Sequence, residues 1–178
     1  MGQQVGGRTF VRTTAFKRKQ DTPLGLLCDQ IRCKGDLYGG GAVVNRFLTD
    51  RWTIVPEYAL THTGDPFGLR HEHEVKVGTF YVHPRGYSFS IQEDYFHQRG
   101  VSRGIQGFFL PAIVDTPVAA SVFTTNVSFS YELPRKRGLL SLSVTNLTDR
   151  RYAFLADPLA LDPRTPKLRA MLSMRVNF

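Results

Sequence analysis

Only two cysteines stand among 178 residues, and little else in the chain suggests metal or redox chemistry. Cys28 and Cys33 flank Asp-Gln-Ile-Arg, a spacing that fits neither a redox Cys-x-x-Cys pair nor a zinc finger with its second ligand pair. In an exported protein the two would close a small disulfide loop; in a cytosolic one they are free thiols. No run of about 18 apolar residues exists, which excludes a transmembrane helix. It does not exclude a membrane β-barrel, whose strands carry only a weak alternating signal. Met1 to Arg8 lacks the apolar run of a signal peptide. Ser, His and Asp are present, but no Gly-x-Ser-x-Gly elbow or comparable spacing singles out a nucleophile. No catalytic constellation, cofactor or metal site is expected, and the chain reads as a non-enzyme.

What the chain does have is enough for one substantial domain. A hydrophobic content of 42% with 12% aromatics is too high for a disordered chain. An excess of 23 Lys+Arg over 15 Asp+Glu gives a net charge of +8, which suits an anionic partner such as nucleic acid, phospholipid or lipopolysaccharide.

The clearest pattern has period two. Phe123, Thr125, Val127, Phe129, Tyr131 and Leu133 alternate with Val122, Thr124, Asn126, Ser128, Ser130 and Glu132. One face is apolar and aromatic, the other small and polar, as in a strand between two different solvents. Tyr87, Phe89, Ile91 and Tyr95 repeat the pattern, with Glu93 as the one intruder. So do Trp52 to Leu60, Val75 to Tyr81 and Leu168 to Phe178. Helical periodicity never competes over a comparable length, so the chain reads as all-β. About eight strands are expected, near 8–19, 36–48, 51–63, 72–83, 86–98, 119–133, 138–149 and 165–178. Neither of the first two has a clean apolar face. Pro56 predicts a bulge in the third, or a later start for it.

The links between strands point to an antiparallel meander. Short turns at 49–51, 84–86 and 134–138 alternate with longer segments near 20–35, 64–71, 99–118 and 150–164. Outer-membrane barrels have this asymmetry between their two ends; a soluble sandwich or lipocalin produces it less regularly. Segments of about 11–14 residues suit a tilted bilayer crossing better than the roughly 5–6 of soluble strands. Phe47, Trp52, Tyr81, Tyr87 and Tyr131 gather near the short turns, as rings at a bilayer interface do.

Other motifs read more plainly. His71-Glu72-His73-Glu74 offers two imidazoles on one strand face, but no third metal ligand can be named, and a solvated junction between loop and strand is the expectation. His62, His83 and His97 are isolated in the sequence. Arg135 to Arg137 form a basic turn without the interleaved aromatics of a nucleic-acid surface, so no nucleic-acid partner is expected. Asn126-Val-Ser and Asn146-Leu-Thr match the glycosylation pattern but lie within expected strands. Gly39-Gly40-Gly41 lacks the residues of a phosphate loop and suits a strand where a neighbour needs room.

Near the C-terminus, Gly138-Leu-Leu-Ser-Leu-Ser-Val-Thr-Asn-Leu-Thr-Asp-Arg-Arg-Tyr152 resembles the penultimate strand of TonB-dependent outer-membrane receptors. Val144, Asn146, Leu147, Asp149 and Tyr152 match a "Val-x-Asn-Leu-Phe-Asp-x-x-Tyr" stretch, with Thr148 in place of Phe. The closing Leu168 to Phe178 looks like the last strand read by the barrel-assembly machinery, through Met174, Val176 and Phe178. Ser173 stands where that signal usually has Gly, and Met171 where it usually has a polar residue. The resemblance is specific over 119–178 and architectural before that. It implies that residues 1–178 form part of a larger barrel in the bacterial outer membrane, with plug, TonB box and signal peptide absent.

The function so implied is wall and lumen for uptake of a scarce nutrient such as a siderophore. Gln92, Asp94, Ser128, Ser130 and Glu132 would face the lumen. The implied partners are outer-membrane lipid and lipopolysaccharide, the barrel-assembly machinery, and the missing plug and strands. The alternative is a soluble β-barrel or β-sandwich that binds a small ligand or an acidic partner.

Overall fold

The computed structural model describes residues 2–21, 34–65, 68–106, 112–150 and 167–176. Cys28, Cys33, Tyr152 and Phe178, and with them the disulfide question, lie outside the described residues. The described chain forms one nine-stranded antiparallel sheet in which every strand pairs with its neighbours in sequence. The strands are β1 (Gly2–Gln4), β2 (Thr9–Asp21), β3 (Lys34–Phe47), β4 (Trp52–Asp65), β5 (Gly68–Val82), β6 (Tyr87–Gln106), β7 (Ala112–Glu132), β8 (Gly138–Thr145) and β9 (Arg169–Val176). No α-helix occurs among the described residues; a single 3₁₀ turn, Pro134–Lys136, joins β7 to β8.

The architecture is the expected meander, with two corrections. There are nine strands rather than eight, because the short β1 pairs with β2 through Gly2–Arg12 to Gln4–Phe10. The expected long links at 64–71 and 99–118 are largely strand. β4 and β5 pair as far as Asp65–Gly68, and β6 and β7 as far as Gln106–Ala112. Short and long links therefore do not alternate strictly. The reason is physical: Gly and polar residues dominate 64–71, and 99–118 mixes polar residues with an unbroken apolar run, so the apolar alternation is lost while the backbone ladder continues. β6 and β7 reach 20 and 21 residues as a result.

Pro56 lies inside β4 without a bulge. The pairs Val43–Glu57 and Arg46–Ile54 keep one register on either side of it, so no residue is inserted. Proline has no N–H, and only the ladder contacts beside it are interrupted.

Directly paired residues share a face, so the register assigns every strand position to one of two surfaces. The apolar face carries Trp52, Ile54, Val75, Val77, Phe89, Ile91, Val127, Phe129, Leu140, Leu142, Leu172 and Met174. The opposite face carries Ser90, Gln92, Asp94, Asn126, Ser128, Ser130, Ser141 and Ser143. Along β6 and β7 burial is inverted relative to a water-soluble domain. Phe123 and Phe129 on the apolar face are 52% and 42% exposed, whereas Gln98, Val122 and Thr124 on the other face are buried. The polar face also holds rings, Phe16 and Phe80 among them. Each covers a glycine: a Cβ on Gly39 would come within 2.9 Å of the Phe16 ring, and one on Gly78 within 2.8 Å of Phe80.

Candidate functional site

The polar face is a hydrogen-bonded surface running from β5 to β8. Asp94 accepts from Gln92 at 2.8 Å and from the Asn126 amide at 2.6 Å, one bond on each carboxylate oxygen. Ser90 and Ser128 hydroxyls meet at 2.7 Å, and Ser130 donates to Ser141 at 3.2 Å. Gln98 donates to Glu72 at 2.8 Å, and Lys76 pairs with Glu74 at 2.9 Å. Of the five residues expected to line a lumen, Gln92, Asp94, Ser128 and Ser130 join this surface through one another's neighbours. Glu132 stands apart at the short-turn end, where it borders an open cavity of about 580 Å³ together with His83, Ser88 and Arg175. Asn126, already on the polar side of the alternation, belongs to the network, as do Glu72 and Gln98, which lie outside the alternating runs.

Asn146 ties the C-terminal motif to this face. It is only 2% exposed, and its main-chain N–H donates to Asn126 Oδ1 at 2.9 Å. Its side chain donates to the Arg150 carbonyl at 3.0 Å and accepts from the Arg150 N–H at 3.1 Å. Asn146 and Asp149 both hold left-handed backbone, with φ of 51° and 46°. Asn and Asp tolerate that region better than other residues with a Cβ, which gives a physical reason for those residue types at these two positions. Asp149 Oδ1 accepts from the Leu168 N–H at 3.1 Å, linking the turn to the segment before β9. Val144 pairs with Val127 and Ala170 on the apolar face, and Leu147 is exposed. Met174 and Val176 face the same side as Leu140 and Leu142.

The apolar face is bordered by aromatic rows at both ends. Near the short turns, Trp52 lies 4.7 Å from Tyr81, Tyr81 lies 6.5 Å from Tyr87, and Tyr87 pairs with Tyr131. Phe47 does not belong to this row: it pairs with Thr53 on the opposite face and meets Phe10 edge-on at 6.2 Å. Near the other end, imidazoles and phenols form a ladder across β3 to β7. Tyr38 stacks on His62 at 4.3 Å, and His62 Nδ1 lies 3.0 Å from His71 Nδ1. Beside it, Tyr58 bonds His73 at 2.8 Å, and His97 bonds Ser121 at 2.7 Å.

The histidines thus correct the sequence reading. His62 and His97 are not isolated, and His71 and His73 stand within β5 rather than at a junction between loop and strand. Strict alternation turns the imidazoles of His71 and His73 to the apolar face and the carboxylates of Glu72 and Glu74 to the polar one. Glu93, the intruder on the apolar face, accepts from Thr125 at 2.8 Å. No group of three His, Cys, Asp or Glu side chains that could hold a metal occurs among the described residues.

No family model, curated protein or solved structure matches this chain.

Proposed function

We propose that the chain forms part of the wall of a larger outer-membrane β-barrel similar to the TonB-dependent receptors, contributing wall and lumen for uptake of a scarce nutrient such as a siderophore. One observation carries this reading: along β7 the apolar face is the more exposed one, and that face is bounded by two aromatic rows. Positions 71 and 81 lie ten residues apart on β5. At about 3.3 Å per residue that is about 33 Å along the strand. A strand tilt of about 40° reduces it to about 25 Å, the height of the apolar band in outer-membrane barrels. Rings with a polar tip favour both edges of such a band, with the tip in water and the ring in lipid.

The polar face then lines the water-filled interior. Its Arg70, Lys76 and Arg175, together with the basic turn at 135–137, give the excess positive charge a place where an anionic ligand or lipopolysaccharide meets it. Glu93 and Thr125 satisfy each other inside the band, which lowers the cost of a polar pair there.

The reading is tested by the two faces of β7. In a bilayer, Val127→Arg should destabilise the folded state by about 2–4 kcal/mol and Phe129→Arg, nearer the row at Tyr131, by less, while Ser128→Arg between them should change it little. Urea titrations of chains refolded into vesicles measure this. Equal stability for all three variants, or a chain that stays in aqueous solution without detergent, supports the soluble alternative instead.

A further inference from the structure

We propose that His62 and His71 form a chelating pair for a tetragonal divalent metal, Cu(II) or Ni(II), on the apolar face of the β4–β5 hairpin. The two residues are direct partners in the ladder, so the backbone itself holds the rings side by side. Their ring centroids are 4.3 Å apart, and both Nδ1 atoms turn toward each other at 3.0 Å. A first-row metal binds imidazole nitrogen at about 2.0–2.1 Å. Two such bonds at a right angle span about 2.9 Å, and at a tetrahedral angle about 3.4 Å. The observed spacing matches the right angle, which is the cis geometry of square-planar Cu(II) or Ni(II) rather than of tetrahedral zinc.

The surroundings distinguish this pair from the other imidazoles. Tyr38 stacks on His62 at an interplanar angle of 28° and fixes its ring, and the Asp36 carboxylate exerts an attractive field on positive charge there. Arg99 is paired with His71 on its other side and opposes a cation, so Asp36 has an offsetting role. His73 and His97 hold their Nδ1 atoms in bonds to Tyr58 and Ser121. With no third ligand among the described residues, the remaining positions fall to water or an exogenous donor, and the site is open and exchangeable. Binding is simple ligand exchange. The hydrogen now bridging the two Nδ1 atoms moves to Nε2 of its own ring, two N–metal bonds form, and two waters leave the metal. No electron is transferred.

The site rests on the register of one hairpin and stands whether or not the sheet spans a membrane. It is tested on the full chain folded in detergent micelles, with CuCl₂ and NiCl₂ as probes, by calorimetry and by electron paramagnetic resonance of the copper form. The expected result is about one metal per chain, an axial copper spectrum, and coupling to two nitrogens. Removing a supporting neighbour of a metal ligand commonly weakens a site by about 10–100-fold, so His62→Ala or His71→Ala should cost at least that. His73→Ala and His97→Ala should bind as the parent does. His62→Gln and His71→Gln keep the side-chain bulk and serve if the alanine variants fail to fold. The proposal is overturned if the parent takes up no stoichiometric metal. It is equally overturned if the double His62→Gln, His71→Gln chain binds as tightly, or if losing His73 or His97 weakens binding as much.

Discussion

Asn146 shows how much one side chain can organise at a strand end. Its left-handed φ, its two bonds to Arg150 and its link to Asn126 join the end of β8 to the polar face. Alanine would remove both side-chain bonds and leave a Cβ in an unfavourable backbone region. Hydrogen bonds are worth about 0.5–1.5 kcal/mol each and left-handed backbone costs about 1–2 kcal/mol for an ordinary residue. Asn146→Ala should therefore destabilise the fold by about 2–5 kcal/mol in denaturant titrations. Asn146→Gly relieves the backbone without restoring the bonds and should fall between alanine and the parent. If glycine proves as damaging as alanine, the left-handed backbone is not part of the cost.

At the scale of the strand, β5 combines a strict face assignment with one tight packing point. Gly78 lies on the polar face beneath the Phe80 ring, and a Cβ there would meet ring atoms at 2.8 and 3.1 Å. Gly78→Ala should cost about 1–3 kcal/mol by overpacking. In a Phe80→Ala background the same change should cost nothing or stabilise, since the ring is gone and alanine suits a strand better than glycine. A double-mutant cycle measures the difference, and additive effects would show that the ring moves aside freely.

The same strand shows what the sequence reveals and what it hides. Alternation from Val75 to Tyr81 identifies β5 and its faces, because one face there is apolar. It fades at Leu69 to His71, where the residues are mostly polar, so that stretch reads as part of a loop. The register that brings His62 to His71 depends on continuing the ladder through that segment. Asp65-Pro66-Phe67-Gly68 carries the residues of a tight turn, with Asp first, Pro second and Gly fourth. Read as a turn, it aligns His62 with His71. Hydrophobic period finds strands; turn chemistry is what finds partners. The Asn126–Asp94 contact is hidden for a related reason, since the two lie 32 positions apart and meet only once the β6–β7 register is fixed.

Across the whole molecule, the two aromatic rows set a length scale that a single residue can report. Trp52 is the only tryptophan in the chain and belongs to the row at the short turns. In the membrane reading its ring sits at a headgroup boundary, while Val127, four positions before Tyr131 on β7, lies about 10 Å deeper at a tilt of about 40°. Brominated lipids quench tryptophan by contact, so the depth of the bromine reads the depth of the ring. Lipids brominated near the headgroup should quench Trp52 more than lipids brominated near the chain end. A Trp52→Phe, Val127→Trp chain should reverse that order. Bilayers much thicker or thinner than the apolar band should also lower stability, by fractions of a kcal/mol per Å of mismatch. If neither tryptophan is quenched at any depth, the exposed apolar face meets something other than lipid. If both are quenched most by lipids brominated near the headgroup, the chain lies along the membrane surface, and the spacing of the two rows does not match the bilayer.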